Sequence, residues 1–204
     1  VKVPLSRRIR NGLAAFAAGL ARLAALTAES LRALPPARIL IVRQQNQMGD
    51  MVCATPSFRA LREAWPAARI ALVTAPVNAE VVRHNPHLDE ILLYDKKAVR
   101  TPGGLVRFVR DLRNFRPDLA FVLASVSFSV TSAFIGLGSG ARWVVGADSR
   151  PFGFDVARRA FSLCLPASPD LDRHAVDHSL APLEAAGVTT ADRTTVVRPA
   201  PQEE

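Results

Sequence analysis

Five short apolar runs dictate the architecture of this chain. They fall at 38–43, 69–74, 89–94, 117–124 and 142–146, and stretches with helical spacing separate them at 56–65, 77–84, 104–115 and 127–137. Short β-branched runs bounded by turn residues read as strands. Strands that alternate with helices need crossover connections, and crossovers build a parallel sheet covered on both faces. The expected fold class is therefore α/β, a Rossmann-like parallel sheet with helices on both faces. A hydrophobic content of 49% is ample for such a core. After Gly146 the rhythm loosens. Residues 158–165 read as an edge strand, and 174–186 as an amphipathic helix ended by Gly187. Residues 191–204 read as a short extended piece followed by a polar, proline-containing linker. The folded body is thus expected over 37–190.

Charge sets the N-terminal segment apart. Residues 1–38 hold seven Lys or Arg against one acid, Glu29, so they carry +6 of the chain's net +8. The rest is close to neutral, which argues against nucleic acid as a partner, because that would call for a basic face on the folded body. Within 5–34, Leu5, Ile9, Leu13, Phe16, Leu20, Leu23, Leu31 and Leu34 recur at helical spacing, and Pro35-Pro36 ends the pattern. Residues 1–36 are expected to form a basic amphipathic helical arm. The apolar run from Gly12 to Ala21 stops at Arg22, short of the ~20 residues a membrane span needs. A signal peptide would use Lys2–Arg10 and Leu13–Ala21, but Arg22 and the continuing pattern oppose it. Two readings stay open: residues 1–34 lie on an anionic membrane surface, or the helix packs on the domain itself. Cys53 and Cys164, without CxxC spacing, read as reduced residues of a cytosolic protein.

The candidate site is the junction after the first strand. Ile39–Val42 runs into a polar turn, Gln44–Gln47, and then into Met48-Gly49-Asp50 and a helix. A strand that hands a Gly-containing turn to a helix N-terminus is the usual ligand position in an α/β sheet. Gly49 allows a close backbone approach there. Asp50 is awkward for a phosphate cradle, since a carboxylate repels phosphate, and neither GxGxxG nor GxxxxGK[ST] is present. On spacing alone, Asp50 is equally an N-cap. Pro56 implies that the first helix kinks or restarts with Thr55 as its cap.

Other clusters are weaker. His174, Asp177 and His178 (HAVDH), with Asp170 and Asp172 nearby, resemble half a zinc site. HExxH and a third ligand are missing, so a solvent-facing histidine pair is expected and no metal. Ser125, Ser127, Ser129 and Ser132 follow a strand and either line a cleft or cap a helix. No GxSxG elbow supports a serine hydrolase. Arg107, Arg110 and Arg113 read as solvated charges. Tyr94-Asp95-Lys96-Lys97 sits where ligand-facing loops emerge.

The ordered set RILIVRQQNQMGDMVCATPSFRALREAWPAARIALVT, followed by NPHLDEILLYDK, resembles the N-terminal domain of glycosyltransferase family 9, the family of the lipopolysaccharide heptosyltransferases. Weaker agreement continues through Arg116-Pro117-Asp118, Gly140-Ala141-Arg142, Gly146, His174, Leu183 and Gly187. The resemblance spans about 37–190. It implies half of a GT-B enzyme, inverting and metal-independent, whose N-terminal domain takes a lipid-linked saccharide acceptor. A C-terminal domain, in the same or an adjacent chain, would hold a nucleotide-sugar such as ADP-heptose. Asp50 would be the general base, with Asn46, Gln47, Met48, Gly49, Thr55, Lys96 and Ser125 as expected substrate contacts and no cofactor. The turn Gln44–Gln47 departs from the family's usual shorter or acidic residues. The sequence stops at Glu204 in what looks like an interdomain linker, so this chain alone is expected to be inactive. The expected location is the cytoplasmic face of the inner membrane, as a peripheral protein. The rival reading is a non-catalytic Rossmann-like binding or scaffold module.

Overall fold

A computed structural model describes residues 24–45, 47–123, 128–153, 157–167 and 174–198. Its centre is one parallel sheet of six strands in the order β3-β2-β1-β4-β5-β6. The strands are β1 (Arg38–Val42), β2 (Arg69–Thr74), β3 (Glu90–Leu93), β4 (Leu119–Val122), β5 (Trp143–Ala147) and β6 (Leu163–Leu165). All five expected strands are present at nearly the expected bounds. This strand order is that of a doubly wound sheet, in which the chain builds outward from β1 on one side and then on the other. Register is in step across the centre: Ile39 pairs with Ile70 on one side and with Leu119 on the other.

Strand alternation feeds two separate cores. Ile39, Ile41, Ile70, Leu72, Leu119 and Phe121 point to the first face. There they meet α1 (Ala28–Ala33), α2 (Met48–Cys53), α3 (Thr55–Ala64), α4 (Pro76–Val82) and α8 (Ala175–Ala185), through Leu31, Met51, Phe58, Val82 and Leu180 among others. Leu40, Val42, Ala71, Val73, Ala120 and Val122 point to the second face. They meet α5 (Pro102–Asn114), α6 (Val130–Gly138) and α7 (Ala157–Ala160), chiefly through Phe108, Leu112, Ile135 and Ala160. Cys53 packs with the first core and Cys164 with the second, each half-buried.

Two aspartates set the strand starts in register. The Asp118 carboxylate accepts from the Ala37 and Arg38 amides at 2.8 and 2.9 Å, so the start of β4 holds the start of β1. The Asp89 carboxylate accepts from the Ile70 amide at 2.6 Å and pairs with Arg62 of α3 at 2.6 Å.

Three expectations change. Residues 1–23 of the arm lie outside the described residues, and the described remainder is not one continuous helix. Residues 24–27 are non-helical, the Leu26 amide donates to the Ser162 carbonyl, and Thr27 caps the short helix α1. Leu31 is fully buried and the Trp65 indole donates to the Leu34 carbonyl, so this part packs on the domain. Secondly, 158–165 is not strand throughout. Ala157–Ala160 is a helical turn, and only Leu163–Leu165 pairs with β5. Thirdly, the described part of the tail is tied down. Arg59 pairs with Asp192 at 3.0 Å, and the Val196 amide donates to the Thr55 hydroxyl at 2.9 Å.

Candidate functional site

In a sheet of this order the connections after β1 and β4 leave in opposite directions, and a crevice opens between them at the carboxyl ends of the strands. The junction after β1 lies on that crevice. The Leu123 amide extends the ladder to the Val42 carbonyl, and the Arg43 amide donates to the Val73 carbonyl. The Gln44 side-chain amide then crosses from the β1 side to the Ser129 hydroxyl at 3.2 Å. That hydroxyl also caps α6 by accepting from the Ser132 amide.

Met48-Gly49-Asp50 is the first turn of α2 rather than a separate loop. Gln47 occupies the cap position without a side-chain cap bond, and Asp50 is the third helical residue. The N-cap alternative for Asp50 is thereby corrected, because the cap position belongs to Gln47. Among the described residues no hydrogen bond or ion pair engages the Asp50 carboxylate, which is half-exposed. Gln47, Met48 and Gly49 are exposed beside it, and a Cβ built on Gly49 would meet no atom within 4 Å. The backbone at this turn is open to a visitor, and a carboxylate with no hydrogen bond among the described residues stands next to the opening.

Arg43 supports the turn from beneath. The helix breaks at Ala54, whose amide turns to the Met51 and Val52 carbonyls instead of continuing the regular ladder to Asp50. The Asp50 carbonyl freed by this break accepts from the Arg43 guanidinium at 2.9 Å. Arg43 is only 3% exposed. Burial pushes its guanidinium down to about 10, while the nearby Asp50 and Cys53 pull the other way. It therefore remains a cation near neutral pH, held below the carboxylate that the same turn presents.

Around this turn lies a buried polar layer, of which the sequence marked Gln44, Gln45 and Ser132 but not Thr74 or Asn78. Asn78 of α4 is fully buried, and its side-chain amide donates to the Gln45 carbonyl, tying α4 to the turn. The side-chain oxygens of Gln44, Gln45, Asn78, Thr74 and Ser132 are buried with no protein partner among the described residues. Buried oxygens of this kind require donors, which enclosed water supplies. Gln44 and Gln45 share the turn after β1, while Thr74, Asn78 and Ser132 come from a strand end and two other helix starts, so no local motif announces the whole group.

The other expected residues fall in different places. Asn46 and Ser125 lie outside the described residues, as do Ser127, Asp170 and Asp172. Thr55 is completely buried. Its hydroxyl donates to the Val52 carbonyl and accepts from Val196, so it joins α3 to the tail and stands away from the opening. It is also the first residue of α3, with Ala54 at the cap position. Lys96 is exposed on the loop after β3, where Asp95 accepts from the Lys97 amide at 2.7 Å. The HAVDH histidines do not face solvent as a pair. His174 caps α8 by accepting from the Val176 amide at 3.3 Å, His178 is buried, and Asp177 pairs with Arg193. Among the described residues no three His, Cys, Asp or Glu side chains gather as a metal site. At the end of β5, Asp148 forms a two-pronged pair with Arg150, and this hydrogen bonding holds its carboxyl below the ordinary value.

No protein-family model and no curated protein matches the chain. Solved structures do match it. The family 9 glycosyl transferase from Veillonella parvula DSM 2008 has a TM-score of 0.61 at 24% identity, over 78% of this chain and 43% of that one. The E. coli heptosyltransferase WaaC with ADP has a TM-score of 0.61 at 16% identity, over 78% and 49%. E. coli ADP-heptose lps heptosyltransferase II has a TM-score of 0.52 at 18% identity, over 78% and 45%. The structural neighbours are thus family 9 glycosyltransferases, as the sequence resemblance led one to expect. The likeness establishes a Rossmann-like fold shared with part of those GT-B proteins. This chain spans about half their length or less.

Proposed function

We propose that this chain is the acceptor-binding half of a family 9-type, heptosyltransferase-like glycosyltransferase, with Asp50 as its general base. The observation that carries this reading is the unengaged, half-exposed Asp50 carboxylate at the crevice between the β1 and β4 connections, beside the open backbone of Gly49. A carboxylate here suits an incoming hydroxyl. It takes the acceptor proton as that oxygen forms its bond to the anomeric carbon, while the bond to the nucleoside diphosphate breaks on the opposite side and configuration inverts. The diphosphate leaves with the electron pair, so charge builds on the donor and not at Asp50. Asp50 therefore needs no phosphate-binding partner around it. Gln44, Gln45 and Asn78 make the wall behind the turn polar, which suits a saccharide better than an apolar ligand. Gln47, Met48 and Gly49 line the opening, and Lys96 lies on the same rim. Asn46 and Ser125 complete the proposed contact set. The nucleotide-sugar, ADP-heptose or a relative, would be held mainly by a donor domain supplied in the same or an adjacent chain, with no metal. A lipid-linked acceptor would put the protein at the cytoplasmic face of the inner membrane, with the basic residues that precede Leu26 as a membrane contact, since Leu26 and Leu31 are buried against the domain.

The test is Asp50→Asn in the chain supplied with its donor domain. Turnover should fall by roughly 10²–10⁴-fold, the usual worth of a general base, with acceptor affinity and folding retained. Unchanged turnover, or loss of folding alone, would leave Asp50 a structural residue.

A further inference from the structure

The positive charge of the folded body is gathered on one layer of the molecule. Between Tyr94 and Arg116 the chain carries Lys96, Lys97, Arg100, Arg107, Arg110, Arg113 and Arg116 against Asp95 and Asp111, all but Asp95 exposed. This segment is +5, while the other residues beyond 38 sum to −3. One of the two acids, Asp95, is already occupied in holding the loop amides of Lys97 and Ala98.

Helix α5 presents apolar and basic side chains outward together. Phe108 and Leu112 face the sheet and are buried, which turns Val106, Arg110 and Arg113 to the outside. Val106 is 66% exposed and Leu105 is 49% exposed. Two large apolar side chains in the first turns of a surface helix are costly to leave in water. Beside them an apolar groove of about 270 Å³ runs between α5 and α6, lined by Leu105, Val109, Phe134 and Tyr94. Among the described residues no helix is long and apolar enough to cross a membrane. A surface of this kind fits a bilayer lying alongside it.

We propose that the outer surface of α5, with the loop before it, docks on an anionic membrane. Leu105 and Val106 enter the boundary between headgroups and acyl chains, and the groove beside α6 accommodates hydrocarbon. Lys96, Lys97, Arg100, Arg110 and Arg113 meet the headgroup phosphates. Charge complementarity together with exposed apolar side chains selects this occupant. A nucleic acid would satisfy the arginines but leave Leu105 and Val106 in water. The contact is separate from the basic segment 1–34 and does not depend on Asp50 chemistry. Its position has a use, however. α5 begins at the rim where β3 ends, and β3 is two strands from β1, about 10 Å at ordinary strand spacing. A surface docked here would bring that rim to the membrane that a lipid-linked substrate occupies.

The test uses the full chain carrying Val106→Trp, at an exposed position that tolerates an indole. Trp65 in the core and Trp143, stacked under Arg142 at 4.5 Å, form a constant background. With vesicles of phosphatidylglycerol and phosphatidylcholine containing brominated acyl chains, emission from the introduced indole should shift to the blue and be quenched. Phosphatidylcholine alone should leave it unchanged. Reversing Lys97, Arg110 and Arg113 to Glu should lower partitioning on the order of 100-fold, at about 1 kcal/mol per basic residue lost. Thermal melts identify any variant that fails to fold, in which case the Val106→Trp reading decides. If the chain pellets with anionic vesicles while the indole stays unquenched, segment 1–34 alone anchors it and the α5 contact is wrong. If a single-stranded RNA oligomer shifts the emission and vesicles do not, the surface is a nucleic-acid face and the proposal falls.

Discussion

At the scale of single residues, several carboxylates of this chain hold the fold, whereas among the described residues that of Asp50 makes no hydrogen bond or ion pair. Asp118 engages two backbone amides at the start of β1. Hydrogen bonds to a charged group contribute about 1.5–3 kcal/mol each, so Asp118→Ala should lower unfolding free energy by roughly 3 kcal/mol, read by denaturant titration. A loss under about 1 kcal/mol would mean that water replaces the carboxylate there without cost. Asp148 supplies a pH dependence of known sign. Its folded-state pKa lies below the ordinary 3.8 because Arg150 hydrogen-bonds the ionised form. The stabilisation is therefore fully present above the unfolded pKa and is lost as pH falls through the folded value. Asp148→Asn should destabilise the chain near neutral pH, and the gap from the parent should narrow in chemical melts as pH falls below 3.8. A gap that persists there would assign the effect to packing. Asp118 was visible in the sequence as part of Arg116-Pro117-Asp118, but only the folded sheet brings it to Ala37, 81 residues away. The isolation of Asp50 was equally invisible, since a missing partner leaves no trace in sequence spacing.

At the scale of elements, close approach is decided where sheet and helix layers meet. A Cβ placed on Gly146 of β5 would come within 2.5–2.9 Å of three Phe161 ring atoms. Gly146→Ala should therefore cost about 1–3 kcal/mol by overpacking, and Phe161→Leu in the same chain should recover part of it. Equal stability of Gly146→Ala and parent would show that the ring swings away freely. The helix after β1 was legible as an element, because Pro56 announces its interruption. The sequence allowed a kink at Pro56 or a restart with Thr55 as cap; the chain does restart, but from Ala54, and spends the Thr55 hydroxyl on Val52 and Val196. The difference arises because a hydroxyl with a partner 141 residues away has no need to cap its own helix. In the same way, 158–165 was expected to be one edge strand, although Arg158-Arg159-Ala160 favour a helix. Only its last three residues find a partner in β5, because the sheet edge is reached at Leu163.

At the scale of the molecule, the doubly wound order gives one crevice, and Asp50 stands on it. The neighbours with known structures are about twice as long as the matched region, and in one of them ADP is bound. On the proposed function, the donor nucleotide is held mainly by a domain outside residues 1–204. Calorimetry of the chain alone with ADP-heptose should show no micromolar binding. Micromolar affinity would place a donor site inside the described sheet and displace the acceptor-half reading.

The sequence by itself determined the strands, the helices and their alternation, because hydrophobic period and turn chemistry are local properties. It also marked Met48-Gly49-Asp50 as the place to look, since a strand that ends in a Gly-containing turn before a helix is a local signature. Tertiary structure alone decided what surrounds that turn. Arg43 occupies the carbonyl released at the helix break, Asn78 anchors the turn from a second helix, and Gln44 crosses to Ser129, 85 positions later. It also turned the arginines of α5 and two apolar side chains to the same outer surface. Which residues share a site depends on strand order and on which face each crossover covers. Both are settled by contacts between segments far apart in the chain, where local periodicity carries no information.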